Sequence, residues 1–112
     1  MSHVVTIAVA LITMKRYSVD TYVIDVLLPD LVGHDRTTGA FVVYLYLCCR
    51  SERSRAAPVA VSLQEIATHT GLSKSTVQSA IRHLKRRGLI DSSIVSTTSR
   101  PMRRILTPWV GR

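Results

Sequence analysis

Between Ser73 and Arg86 the chain gathers side chains suited to reversible recognition more than to bond-making. Ser73, Lys74, Ser75, Thr76, Gln78, Ser79, Arg82 and Arg86 are hydrogen-bonding or cationic, and no acidic residue interrupts them. Hydroxyl, amide and guanidinium groups are the ones that pair with base edges in a DNA major groove, the last two bidentately. Helical spacing places Ser75, Gln78, Ser79, Arg82 and Arg86 on one stripe. Val77, Ala80, Ile81 and Leu84 fall at i, i+3, i+4, i+7 on another. The competing reading is a plain helical hairpin whose polar face is simply solvated.

Bond-making chemistry has little to work with. The acidic residues of the N-terminal half are scattered, no Ser/His/Asp grouping is visible, and no glycine-rich phosphate loop occurs. His3, His34, His69 and His83 lack metal-ligand spacing. No enzymatic activity, cofactor or metal site is expected. Cys48 and Cys49 stand side by side in an apolar run, and two cysteines without a signal peptide suit packing thiols in a reducing cytoplasm. A redox-sensing pair is the alternative.

The polar stripe needs a rigid mount, and the residues around it supply one. Ser62 and Glu65 stand in the S-x-x-E order of a capping box, followed by Leu63, Ile66 and Ala67 on one apolar face. Gly71 permits a sharp turn, Ser73 can cap the second helix, and Gly88 ends it with Leu89 folding back. Ser62 to Ile90 is therefore two helices joined by a tight turn.

That run resembles the helix-turn-helix of winged-helix transcription regulators, in the style of the MarR and GntR families. The matching residues are Ser62-Leu63, Ile66-Ala67, Gly71-Leu72-Ser73, Thr76-Val77, Ala80-Ile81, Leu84 and Arg87-Gly88-Leu89-Ile90. The resemblance implies that Lys74, Ser75, Thr76 and Gln78 occupy DNA-contacting positions. Lys and Gln stand where such proteins often carry Arg, which shifts contacts away from guanine, with Gln78 suited to adenine. Arg82 lies one turn on, within reach of a base or a phosphate. Cations at Lys85, Arg86 and Arg87 also complement a helix C-terminus without any ligand.

The expected fold is mainly α with a small β-hairpin wing, a winged helix-turn-helix with a three-helix core plus an extra N-terminal helix. Residues 1–36 form an N-terminal extension and helix, a possible dimerisation element, and residues 37–112 form the DNA-binding domain. Val19, Tyr22, Val23, Val26 and Leu27 have helical spacing, Pro29 ends or bends that helix, and Gly33 to Arg36 connects it onward. Ala40 to Arg50 is apolar almost all round, so periodicity alone allows a buried strand or a buried helix. The resemblance implies the helix. Ser51 to Pro58 reads as a polar linker, and Pro58 to Val61 as a short strand. Leu89 to Ser96 and Met102 to Thr107 read as the wing strands, with Arg100 near the loop tip and Arg103 on the returning strand as DNA-binding candidates. Alternation puts Arg103, Ile105 and Thr107 on one side and Met102, Arg104 and Leu106 on the other. Trp109 is expected to anchor packing.

Charge adds an independent argument. The chain has 112 residues and a net charge of +8. Residues 1–73 hold six cations and six acids, whereas the nine cations from Lys74 onward face only Asp91. All the excess begins at the expected reading helix, which suits a polyanion. The expected partner is double-stranded DNA, bound by a cytoplasmic homodimer of bacterial type, with any small-molecule effector unknown. A winged helix of plasmid or phage replication initiation, and one that contacts only protein, are the alternatives. The apolar residues 1–14 are too short for a membrane span, and the cations that follow them are in the wrong order for a signal peptide, so no membrane partner is expected. Met14 is a candidate alternative start.

Overall fold

A computed structural model describes residues 15–53, 58–92 and 100–110, the Arg53 side chain excepted. The apolar run at 1–14, half of the expected polar linker (54–57), and the distal wing at 93–99 lie outside the described residues. So does any bearing of Met14.

The first described elements are two helical segments, Val23–Leu27 and Pro29–His34, wound in wider turns than an α-helix. The Leu28 amide reaches back five residues to the Val23 carbonyl, and the Asp35 amide does the same to Asp30 at 2.8 Å. This winding changes which residues face inward. Val23, Leu27 and Leu31 are buried at a stride of four, whereas Tyr22 and Val26 are exposed. Pro29 does not end the helical path. It opens the second segment at a position where its missing N–H costs little. The helical course also continues to His34, through residues expected to be a connector.

Arg36 makes the turn with a positive φ of 56°, and Thr37 closes it. The Thr37 amide and hydroxyl both donate to the Leu31 carbonyl, at 2.8 and 3.0 Å. Helix α1 follows at Thr38–Arg53, so the apolar run is a helix, and it continues three residues into the segment expected to be linker. Ala40, Phe41, Val43, Tyr44 and Leu47 are buried from it. An apolar surface all round suits a helix that packs against the N-terminal segment on one side and two later helices on the other.

Strand β1 (Val59–Ala60) leads into α2 (Leu63–Thr70) and α3 (Lys74–Arg86). Strand β2 (Met102–Arg103) runs antiparallel to β1, with Val59 opposite Arg103 and Ala60 opposite Met102. Beyond it, Ile105 bridges to Ile90, the Leu106 amide donates to Leu89 at 2.9 Å, and the Asp91 amide donates to Arg104 at 3.0 Å. The returning segment therefore pairs with the chain before α2 on one edge and the chain after α3 on the other. The molecule is mainly helical with a small antiparallel sheet.

One core joins these parts. Val59, Val61, Ile66, Ala67, Val77, Ala80, Ile81, Leu84, Leu89 and Ile90 are buried together with the α1 residues. Tyr44 is fully buried, and its hydroxyl donates to the Leu106 carbonyl at 2.8 Å, tying the centre of α1 to the returning segment. Trp109 packs at the edge of the core, stacks on Tyr22 with ring centres 4.4 Å apart, and donates from Nε1 to Asp20 at 3.0 Å. Neither thiol is in a disulfide; both are half-buried, and burial pushes Cys48 up to about 12.

Candidate nucleic-acid interface

The turn between α2 and α3 is built from local hydrogen bonds. Ser62 Oγ accepts from the Glu65 amide at 3.0 Å, and Glu65 Oε1 accepts from the Ser62 amide at 3.1 Å, closing the capping box. Gly71 ends α2 at a φ of 81°, a left-handed conformation that a side chain would strain. Ser73 Oγ then accepts from the Thr76 amide at 3.1 Å and starts α3. At the other end, the Gly88 amide donates to Lys85 and the Leu89 amide to Leu84, the paired bonds of a Schellman motif.

These caps fix the roll of α3 about its axis. Val77, Ala80, Ile81 and Leu84 point into the core, while Ser73, Lys74, Ser75, Thr76, Gln78, Ser79, Arg82 and Arg86 are all exposed. Arg82 donates to Ser79 Oγ at 3.3 Å, and Ser73 Oγ also lies 2.8 Å from Thr76 Oγ1. The start of α3 sits close against α1. A Cβ added at Gly39 would come within 2.9 Å of Thr76 Cγ2, so the absence of a side chain there sets the approach of the two helices.

The two returning-segment candidates have different surroundings. Arg100 is exposed and pairs with Glu65 through both guanidinium edges, Nε to Oε1 at 2.8 Å and Nη2 to Oε2 at 3.1 Å. This contact, with the Ser62 amide, holds the Glu65 carboxyl down at about 2, and Glu65 in turn raises Arg100. Arg103 is half-buried beside β1, donates from Nε to the Val61 carbonyl at 3.0 Å, and is lowered by burial. Arg104, on the opposite side of the strand, is exposed. Sequence alternation placed Arg103 and Arg104 on opposite sides but gave no signal for which side faced the core.

A second cluster was invisible in the sequence. Arg87, which caps α3, forms ion pairs with Asp30 and Asp35 of the N-terminal region. His83 Nε2 donates to Asp35 Oδ2 at 2.8 Å, and His34 Nδ1 donates to Asp35 Oδ1 at 2.9 Å. These donors, His34 first, lower the Asp35 carboxyl well below its ordinary range, and Asp30 and Asp35 raise Arg87. The partners lie 48 and 52 residues apart from Asp35, beyond any local spacing rule. Arg87 is therefore engaged by two carboxylates, a more specific contact than a helix dipole. Asp30, His34 and Asp35 also bring three metal-ligating atoms within 4.8 Å of one another, a donor set that suits a divalent cation. Here the carboxylates are already held by Arg87, His34 and His83.

Among the described residues, no helix is long and apolar enough to cross a membrane. No curated protein and no solved structure matches the chain. Residues 37–90, from the turn before α1 to the bridge at Ile90, match the family described as a helix-turn-helix domain, a match that supports DNA as the partner of that segment.

Proposed function

We propose that this protein is a sequence-specific double-stranded DNA-binding transcriptional regulator of the winged helix-turn-helix type, in the style of MarR and GntR proteins, acting without catalysis. The observation that carries this reading is the outer face of α3, where Lys74, Ser75, Thr76, Gln78, Ser79, Arg82 and Arg86 are exposed together with no acidic side chain among them. Helix α3 enters the major groove, Gln78 reads a base edge, and Lys74, Arg82 and Arg86 supply phosphate or base contacts. The returning segment acts as the wing, with Arg100 and the exposed Arg104 toward the backbone.

A homodimer completes the reading. Ile24 and Val26 remain exposed on the two flanks of the N-terminal helical segment, apolar side chains that a second copy would cover. Two copies would read half-sites about 10 bp apart or a multiple of that.

The test is binding of a random 30-bp duplex and a duplex from the gene's own upstream region across a salt series. Tighter binding to the upstream duplex is expected, with a log–log salt slope of about −0.9 per phosphate contacted. Gln78→Ala is expected to abolish the preference, an effect of about 1–3 kcal/mol for a bidentate base contact. Absence of binding to either duplex at low salt would reject the DNA reading.

A further inference from the structure

A groove of about 530 Å³ separates the start of α2 from the returning segment, and it is lined by Ser62, Gln64, Glu65, Lys74, Arg100 and Arg103 among others. Three of these side chains are cations. Among the described residues of the lining, Glu65 is the one acid. Its two oxygens take the Nε and Nη2 donors of Arg100 in a fork, the same donor geometry that a phosphodiester accepts from arginine. Lys74, the first residue of α3, borders the same groove.

We propose that Glu65 is an internal stand-in for a DNA backbone phosphate, and that duplex binding transfers Arg100 from Glu65 to a phosphodiester seated in this groove. The inference rests on the DNA-binding reading above and adds a residue that sets its threshold. In the free protein the pair keeps the guanidinium in the groove, poised at the place where a phosphate arrives. The exchange is reversible because both partners are accessible. The Arg100 side chain is 58% exposed and that of Glu65 31%, and an ion pair so exposed to solvent is weakly held. After transfer, Glu65 is not orphaned, since the Ser62 amide still donates to Oε1. Its remaining negative charge then opposes the incoming phosphate. Glu65 thus weakens every duplex contact in which the phosphate does not fully replace it.

Glu65→Gln isolates this role, because glutamine at the same position also completes a capping box and α2 should keep its start. The experiment measures wild type, Glu65→Gln, Arg100→Ala and the double variant on the random 30-bp duplex across a salt series, with thermal unfolding of each. Glu65→Gln should bind about two- to fivefold more tightly, the range an exposed ion pair allows. Arg100→Ala should flatten the salt slope by about 0.9, the loss of one phosphate contact. In the Arg100→Ala background the Glu65→Gln gain should shrink, because only the repulsion between the carboxylate and the phosphate is left to relieve. Unchanged or weaker binding by a stably folded Glu65→Gln overturns the proposal. So does a gain of full size without Arg100, which would assign the effect to general charge. Failure of the wild type to bind any duplex rejects the underlying DNA reading instead.

Discussion

Two acid–base contacts grip the helix-turn-helix from opposite ends, and they are built for different work. At the C-terminal end of α3, Asp35 receives His34, His83 and Arg87, and its side chain is 10% exposed. At the start of α2, Glu65 receives Arg100 at an accessible surface. The chemistry is the same, but the surroundings are not. Several donors converging on a largely covered carboxylate hold one geometry, whereas a single exposed pair is easily traded for a solvent ion or a phosphate. The first contact fastens the N-terminal helical segments to the end of α3. The second holds a cation where it can be released.

The sharpest way to break the comparison is to remove the platform beneath the tighter contact. Leu31 is fully buried between the two aspartates in sequence, and its carbonyl receives the amide and hydroxyl of Thr37. Leu31→Ala should cost about 2–5 kcal/mol in urea unfolding and displace Asp30 and Asp35 from Arg87. An unchanged midpoint would mean that the N-terminal segments are not fastened to the core.

Acid titration compares the two contacts directly. Folding strengthens the acidity of both carboxyls, so each stabilises the fold above its ordinary pKa and loses that contribution as pH falls toward its folded value. For Asp35 the loss begins near 3.8 and extends well below it, and for Glu65 it runs from 4.5 to about 2. Asp35→Asn should lower stability at neutral pH and flatten the acid limb of the unfolding curve. Glu65→Gln should do the same more weakly, because it loses one ion pair while Asp35 loses three donors. Equal effects in thermal scans from pH 7 to pH 2 would erase the distinction between the two contacts.

A smaller effect tests the neutral tie to the returning segment. Tyr44→Phe keeps the buried ring and removes the bond to Leu106, for an expected loss of about 1 kcal/mol in chemical denaturation. A loss far above this would show that the hydroxyl also orders the segment bearing Arg100.

The helix-turn-helix was legible because its signals are local. Ser62 with Glu65, Gly71, Ser73 and Gly88 each specify a backbone conformation within a few residues, and the apolar stripe of α3 specifies its buried face. The N-terminal helix was legible in position but not in roll, because wider winding moves the inward stripe to Val23, Leu27 and Leu31. Alpha periodicity had selected Tyr22 and Val26 as well. The roles of Arg100, Arg103 and Arg104 were not legible, since each depends on what the strand packs against.

The sequence by itself determined the two capped helices, the acid-free stripe from Lys74 to Arg86, and the concentration of charge in the C-terminal third, because caps, periodicity and composition act over short spans of chain. Only the tertiary structure decided that α1 is the central helix, that Arg87 is held by Asp30 and Asp35, and that Arg100 rests on Glu65. Those contacts join residues 35 to 57 positions apart, and no local pattern encodes which distant charges the packing of the core will bring together.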